Sequence, residues 1–290
     1  MNLFAKIKKS EKTGYLMSTP YLIHFLLFIA FPLIFSFVLI FFKWNIITPM
    51  EFVGAKNFER LFHDRLFFKA LTNTLLFLVI HIPLQIILAL LMAVFLNQKL
   101  KLRGLFRALF FLPVVVSGVV VTILWMQLYS FDTGLLNLLL NKLGFAGVAW
   151  INDPMYAMPS IALMATWKNV GLYVVLFLVG LQNIPNNLYE AATMDGANEV
   201  QKFFHITIPG LNNTMILVVL LSTIGGFSLF IEPFVMTAGG PMNSTLSAIL
   251  YIYNQAFYFG HMGYAATLGF AFAFFVLIVV LIQKKIVTQN

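Results

Sequence analysis

Six apolar runs, none shorter than 21 residues, dominate the sequence at approximately 20–42, 71–96, 108–129, 157–181, 211–231 and 263–283. An α-helix rises about 1.5 Å per residue, so about 20 apolar residues cross the roughly 30 Å hydrocarbon core of a bilayer. Hydrophobic residues make up 61% of the chain and charged residues only 10%. Soluble domains carry about 25% charged residues. The chain therefore reads as an all-α membrane protein with six transmembrane helices. The implied organisation is an N-terminal tail at 1–19, a first span with an outer segment at 20–70, a five-helix body at 71–283 and a short tail at 284–290.

Charge orients these spans. Lys6, Lys8, Lys9 and Lys12 precede the first run. A cleaved signal peptide would look similar at first, but the run from about Tyr21 to Phe42 is too long for one, and no small-residue cleavage site follows. It is read as a retained span. With the N-terminus inside, eleven of the 18 Lys and Arg residues fall on the inner side, six fall on the outer side, and Lys168 lies within a span. The bias places both termini in the cytoplasm. The net charge of +8 comes from bases scattered at the ends of apolar runs, a pattern that orients a membrane protein and does not indicate nucleic acid. Cysteine is absent, which excludes a disulfide framework, thiolate metal ligation and thiol redox chemistry.

Polar residues inside the spans are costly and face partners or water. Pro32 predicts a kink in the first span. His81 and Gln85 are four apart on one helical face and are expected to hydrogen-bond a neighbouring helix. Trp150 and Tyr156 have the look of interfacial aromatics. In the fourth span, Trp167-Lys168-Asn169 and Tyr173 form one group. Lys168 and Asn169 suit sugar hydroxyls, with Trp167 or Tyr173 offering a flat apolar face; a packed ion pair of Lys168 is the other reading. In the fifth span, Gly225 and Gly226 with Ser228 mark either close helix packing or a broken helix that holds substrate. Glu232 falls at that span's outer edge.

Between the fourth and fifth runs lies Asn183–Leu211, the one long inner segment rich in charged and amide side chains. It predicts two short helices over 185–210. Asn187 with Glu190, and Asn198 with Gln201, carry the N-capping spacing. Asp195-Gly196 ends the first helix, because glycine accepts the left-handed backbone of a C-terminal cap. Pro209-Gly210 is expected to close the second. Leu188, Ala191, Ala192 and Asp195 share one face, and Val200, Phe203, Phe204 and Thr207 another. Burying each Phe is worth roughly 1.5–3 kcal/mol. Glu190, Asp195 and Glu199 oppose only Lys202. A hairpin meant to lie on anionic lipid would be basic, so this one is shaped for a groove on a soluble protein.

Glu190-Ala191-Ala192, three residues, Gly196, nine residues, then Ile206-x-Ile208-Pro209 resembles the EAA signature of ABC importer permeases. That family's motif usually ends Ile-x-Leu-Pro, and Ile208 replaces the leucine. Phe52-x-Gly54-x-x-Asn57-Phe58, Gly134-x-x-Asn137, Thr237-Ala238-Gly239-Gly240-Pro241 and Gly263-Tyr264-Ala265-Ala266 are similar to patterns of the carbohydrate-uptake branch, the maltose and glycerol-phosphate type. The resemblance implies a type I importer permease fold with cytoplasmic coupling helices, and makes 71–283 the transmembrane module. It assigns ATPase coupling to Glu190, Ala191, Ala192, Asp195, Gly196, Ala197, Phe203, Ile206 and Pro209. It implies a substrate pathway near Trp167, Lys168, Asn169, Tyr173, Gly225 and Ser228. The implied partners are a second permease subunit, two ABC ATPase subunits that carry ATP and Mg2+, an extracytoplasmic solute-binding protein and the lipid bilayer.

The sequence contains no Gly-x-x-x-x-Gly-Lys-Ser/Thr loop, and no His-x-x-x-His or Gly-x-Ser-x-Gly motif. The chain thus has no sign of hydrolysing ATP, and no cofactor is expected on it. A transport subunit driven by a separate ATPase is the reading, for a sugar, oligosaccharide or related solute. A permease for another solute, or a carrier working alone, are the alternatives; a lone carrier would place acids deep in its spans, and these spans carry almost none.

Overall fold

The computed structural model describes residues 9–98 and 101–288. Residues 1–8 of the expected N-terminal tail, residues 289–290 of the C-terminal tail, and Lys99 fall outside the described residues. In chain order the elements are α1 (Lys9–Phe25), α2 (Phe31–Leu39), β1 (Phe42–Lys43), β2 (Glu51–Phe52), α3 (Lys56–His63), α4 (Arg65–Asn97), α5 (Arg103–Val115), α6 (Gly118–Leu128) and α7 (Leu135–Lys142). There follow α8 (Pro154–Gln182), α9 (Asn186–Met194), α10 (Glu199–Lys202), α11 (Ile208–Gly210), α12 (Asn212–Phe227), α13 (Ile231–Met236), α14 (Ala248–Tyr253) and α15 (Met262–Thr288).

Five helical stretches are long and apolar enough to cross a bilayer: Gly14–Leu39, Arg65–Asn97, Pro154–Gln182, Asn212–Met236 and Met262–Lys285. The sixth expected span, 108–129, is not one straight helix. It is the pair α5 and α6, bent by 98°. Pro113 lacks the N–H that would bond to the Leu109 carbonyl, and its ring crowds that oxygen. Just beyond it, Val116 and Ser117 take extended backbone, with ψ of 143° and 131°. The Ser117 carbonyl then accepts from the Val121 N–H at 3.1 Å and opens α6. Hydropathy averages over an apolar run and cannot register two extended residues inside it.

Prolines explain two other irregularities. Pro32 follows a widened turn at Leu26–Ala30, and Pro209 follows one at Phe203–Thr207. A proline ring displaces the carbonyl four residues back, and a widened turn gives that carbonyl room. The helical stretch that begins at Glu199 ends at Gly210, where Pro209-Gly210 is expected to close it. The proline sits in the first turn of α11, where its missing N–H costs nothing, and Leu211 alone separates α11 from α12.

The chain divides into two compact units. In one, residues 1–64 and 252–271, the β1–β2 ribbon pairs Phe42 with Phe52 and Lys43 with Glu51. Asn57 ties α3 to the end of the first span by donating to the Ile40 and Phe42 carbonyls at 2.8 and 3.1 Å. Phe37 meets Phe270 edge-on at 5.5 Å. The outer segment thus carries its own helix and ribbon, and α4 begins at Arg65, ahead of the expected residue 71.

In the other unit, residues 65–251 and 272–290, α4 packs along α8, and α12 crosses both. Ala89 and Ala93 of α4 lie against Val174 and Phe177 of α8, with Leu211 and Val218 completing the cluster. Small residues on α4 let the two long helices approach, which is how helices associate where lipid removes the hydrophobic driving force. This cluster supports both regions described next.

Candidate coupling hairpin and translocation cavity

The hairpin is held by two local motifs. At the end of α9, Gly196 takes φ +79°. The Ala197 N–H donates to the Ala192 carbonyl at 2.9 Å and the Gly196 N–H to the Thr193 carbonyl at 3.1 Å. This is a Schellman cap, as the Asp195-Gly196 pair predicts. At the start of α10, the Asn198 side chain accepts from the Gln201 N–H at 2.9 Å, and the Gln201 side chain accepts from the Asn198 N–H at 2.8 Å. The second expected capping box is complete. The first is not formed: α9 starts at Asn186 with Pro185 as its cap and no side-chain capping bond. Pro185 supplies the extended entry by itself, so Asn187 already lies inside the helix.

The outward side of the hairpin is apolar and acidic. Leu188, Met194, Val200 and Phe204 are exposed, Met194 by 88% and Val200 by 64%. Glu190, Asp195 and Glu199 are exposed too, with Lys202 paired to Glu199 at 2.9 Å. Ala192, Asp195, Gly196, Ala197 and Ile206 line a shallow hollow of about 300 Å³ in the crook, together with Gln201 and His205. Glu190 and Ala191 stand exposed outside that hollow, and Pro209 is exposed at the foot of the second helix. Phe203 faces the other way: it is half-buried against the α4–α8 cluster, as is Tyr189. The Tyr189 and Thr207 hydroxyls meet at 2.9 Å and clamp the two hairpin helices. Thr207 is recognisable in sequence as part of the Phe203 face; its partner Tyr189 carries no spacing signal.

The second region is a cavity of about 440 Å³ lined by α4, α8, α12 and α13. Four of the six expected pathway residues, Asn169, Tyr173, Gly225 and Ser228, line it, joined by His81 and Gln85. Trp167 and Lys168 do not. The Trp167 ring lies 5.6 Å from that of Trp125, which continues through Tyr129 to Trp150 at 5.3 and 5.7 Å. Lys168 has no carboxylate oxygen within 4.0 Å among the described residues, but its charge acts on Glu232. Glu232 lies near the end of the Asn212–Met236 stretch and also lines the cavity. The turn does this: α12 ends at Phe227, and Ser228–Phe230 redirect the chain before α13. Gly226 also gives the close packing its motif allows, since a Cβ there would come within 2.3 Å of Leu78 Cδ2.

The expected interhelical hydrogen bonds are present. His81 Nδ1 and Thr166 Oγ1 are 2.8 Å apart, and the Ser222 hydroxyl donates to Gln85 Oε1 at 2.7 Å. Gln85 is fully buried and its Nε2 has no hydrogen-bond partner. The cavity wall is thus mostly apolar, from Phe77, Leu172, Leu221 and Ile224, and is set with a few polar groups: Asn169, Ser222, Ser228, the Tyr173 hydroxyl and one carboxylate, Glu232.

Apolar helices of membrane-crossing length line the cavity and lead into an exposed helical knuckle, the arrangement of a membrane transport subunit. Residues 85–288 match the family described as "Binding-protein-dependent transport system inner membrane component". The chain is 39% identical over 284 residues to the "Probable ABC transporter permease protein YurN" of Bacillus subtilis (strain 168), covering 96% of this chain and 97% of that one. It is 38% identical to the "Arabinooligosaccharides transport system permease protein AraP" of the same organism, covering 94% and 87%. A bacterial alginate ABC transporter, solved in complex with an alginate pentasaccharide-bound periplasmic protein, shares the fold with a TM-score of 0.80 and 24% identity, over 98% of this chain and 96% of that one. The chain belongs to the binding-protein-dependent transport family of inner-membrane permeases, and has the type I ABC importer fold.

Proposed function

We propose that this permease carries a sugar or oligosaccharide across the cytoplasmic membrane, receiving it from an extracytoplasmic solute-binding protein. It works beside a second permease subunit, with two ATPase subunits that bind ATP and Mg2+ below. Residues 71–283 form the working module, both termini are cytoplasmic, and the hairpin at 185–210 faces the ATPases. The observation that carries this reading is the hairpin itself: a rigidly capped knuckle whose Leu188, Met194, Val200 and Phe204 stand exposed beside Glu190 and Asp195. Large apolar side chains at helical spacing beside a hollow suit a groove on a soluble partner. Asn169, Ser222, Ser228 and Glu232 on a largely apolar cavity wall offer partners for hydroxyls beside flat surface for a sugar ring, and the identity to an arabino-oligosaccharide permease supports that class.

ATP binding would draw the hairpins together and favour one cavity opening over the other, acting only through the affinity difference between the two states. The test is copurification of the detergent-solubilised chain with a P-loop ATPase subunit encoded beside it. Wild-type chain is expected to retain the ATPase and Glu190→Lys to lose it. Equal retention by both removes the docking role. Uptake of labelled oligosaccharides by the reconstituted assembly tests the solute class.

A further inference from the structure

A second cavity, of about 720 Å³, lies wholly within the other unit. It sits between the residues that follow the first span and those that precede the last, and the Met262 N–H donates to the Trp44 carbonyl at 2.9 Å beside it. Lys43, Lys56 and Arg60 line it, with Glu51, His261 and Tyr264. Arg60 is held in place: it donates to Gln255 Oε1 at 3.2 Å, and its guanidinium lies 3.9 Å over the Tyr264 ring. Among the described residues, no carboxylate oxygen comes within 4.0 Å of any of the three cations. Glu51 faces Lys43 across the ribbon but does not reach it.

Three cations against one acid leave positive charge unanswered. The His261 ring reports it: burial lowers its pKa first, and the charges of Arg60 and Lys43 lower it further. A pre-positioned guanidinium with two flexible ammonium groups is a donor set for phosphate or carboxylate oxygens. The surroundings say where such an anion comes from. Phe259 and Trp44 line the cavity, and Ile47, Phe52 and Tyr258, next to lining residues in the chain, are exposed, Ile47 by 90%. Large apolar and aromatic side chains beside basic ones, where spans meet water, belong at the level of lipid headgroups.

We propose that this cavity binds the headgroup of an anionic phospholipid, with Lys43, Lys56 and Arg60 on its phosphate. The inference rests on the membrane-spanning reading of the chain and is independent of solute, ATPase docking and sidedness. An acidic patch on a soluble partner would use the same cations but would leave the apolar rim without a role.

The experiment is native mass spectrometry of the full-length chain in detergent, titrated with phosphatidylglycerol and with phosphatidylcholine of the same acyl chains. The wild-type chain is expected to retain phosphatidylglycerol preferentially. Lys43→Gln/Lys56→Gln is expected to lose about fivefold in that preference per lysine, as a juxtamembrane charge does. Both lysines are exposed, so the variant keeps the fold. Arg60→Lys keeps the charge and is expected to keep most of the preference; Lys142→Gln, a control lysine of the other unit, is expected to change nothing. Equal retention of the two lipids, or a preference that survives Lys43→Gln/Lys56→Gln, overturns the proposal. Displacement of phosphatidylglycerol by millimolar inorganic phosphate assigns the site to a free anion and overturns it too. So does indifference to both lipids combined with weakened binding of the solute-binding protein to the double variant.

Discussion

In the hairpin, Leu188, Met194, Val200 and Phe204 are left in solvent while the bend between the two helices is capped on both sides from within. In the cavity the bonds run between helices instead: His81 and Ser222 satisfy their polar atoms on Thr166 and Gln85. The first region is held by a bend and a cap local to its own backbone; the second is held by contacts between helices and is interrupted in its backbone at Ser228–Phe230. The proposed coupling role suits the first arrangement, because a flexible knuckle would absorb a push. The proposed solute path suits the second, because a broken helix can re-aim its ends without losing its packing.

The comparison breaks first at Gly226. A Cβ there would press to 2.3 Å from Leu78 Cδ2, so Gly226→Val must push the buried Leu78 side chain aside or part α12 from α4. Overpacking of this kind costs about 1–3 kcal/mol. The variant is expected to show a sharply reduced yield of folded protein by size-exclusion chromatography in detergent. Leu78→Ala in the same chain is expected to restore most of it. No rescue would mean that Gly226 serves the chain's path and not this contact.

Gly196→Val strikes the hairpin next. Nothing lies within 4 Å of the Cβ position, so any effect is of the backbone alone. A β-branched residue at φ +79° costs about 1–2 kcal/mol or more. Folding of the membrane body is expected to be normal, while uptake falls by roughly tenfold and ATP hydrolysis continues. Gly196→Asn, which tolerates the left-handed region, is expected to fall between Val and wild type. Coupled uptake in the valine variant would show that the bend need not be rigid.

What could be read in the sequence divides along the same line. The hairpin's bend and second cap are written in neighbouring residues, Asp195-Gly196 and Asn198 with Gln201, and they form as read. Its attachment is not: Tyr189 finds Thr207 only once both helices fold back on α8. The spans were legible because 20 apolar residues have few other places to be. Their breaks were not, because an extended residue such as Val116 is as apolar as a helical one. Nor does spacing say which polar residues of a span share one cavity: Glu232, near the end of its span, lines it, while Lys168 and Trp167 do not.

Lys168 sharpens the contrast within one helix. It neither lines the cavity nor forms a contact ion pair, but its charge reaches Glu232, which does line it. Lys168→Gln is expected to leave assembly intact and to change the uptake rate or solute preference by a factor of roughly five, the order of one charge acting beyond contact at about 1 kcal/mol. Uptake assays across several oligosaccharides measure it. Wild-type behaviour with every solute would leave Glu232 without electrostatic support from this side.

The smallest effect is expected at Asn198. Its side chain caps α10, and Gln201 returns the bond. Asn198→Ala removes one half of the box and costs about 1 kcal/mol locally. The residues around it are exposed and carry no load from the core, so thermal stability of the membrane body is expected not to move. Hydrogen exchange at the Gln201 amide is expected to quicken by about fivefold, and uptake to fall less than in Gly196→Val. The ranking is the informative part. If the two variants damage uptake equally, the start of the second helix transmits as much as the bend before it, and the stiffness that separates this hairpin from the cavity resides in the whole 195–201 turn, not in one glycine.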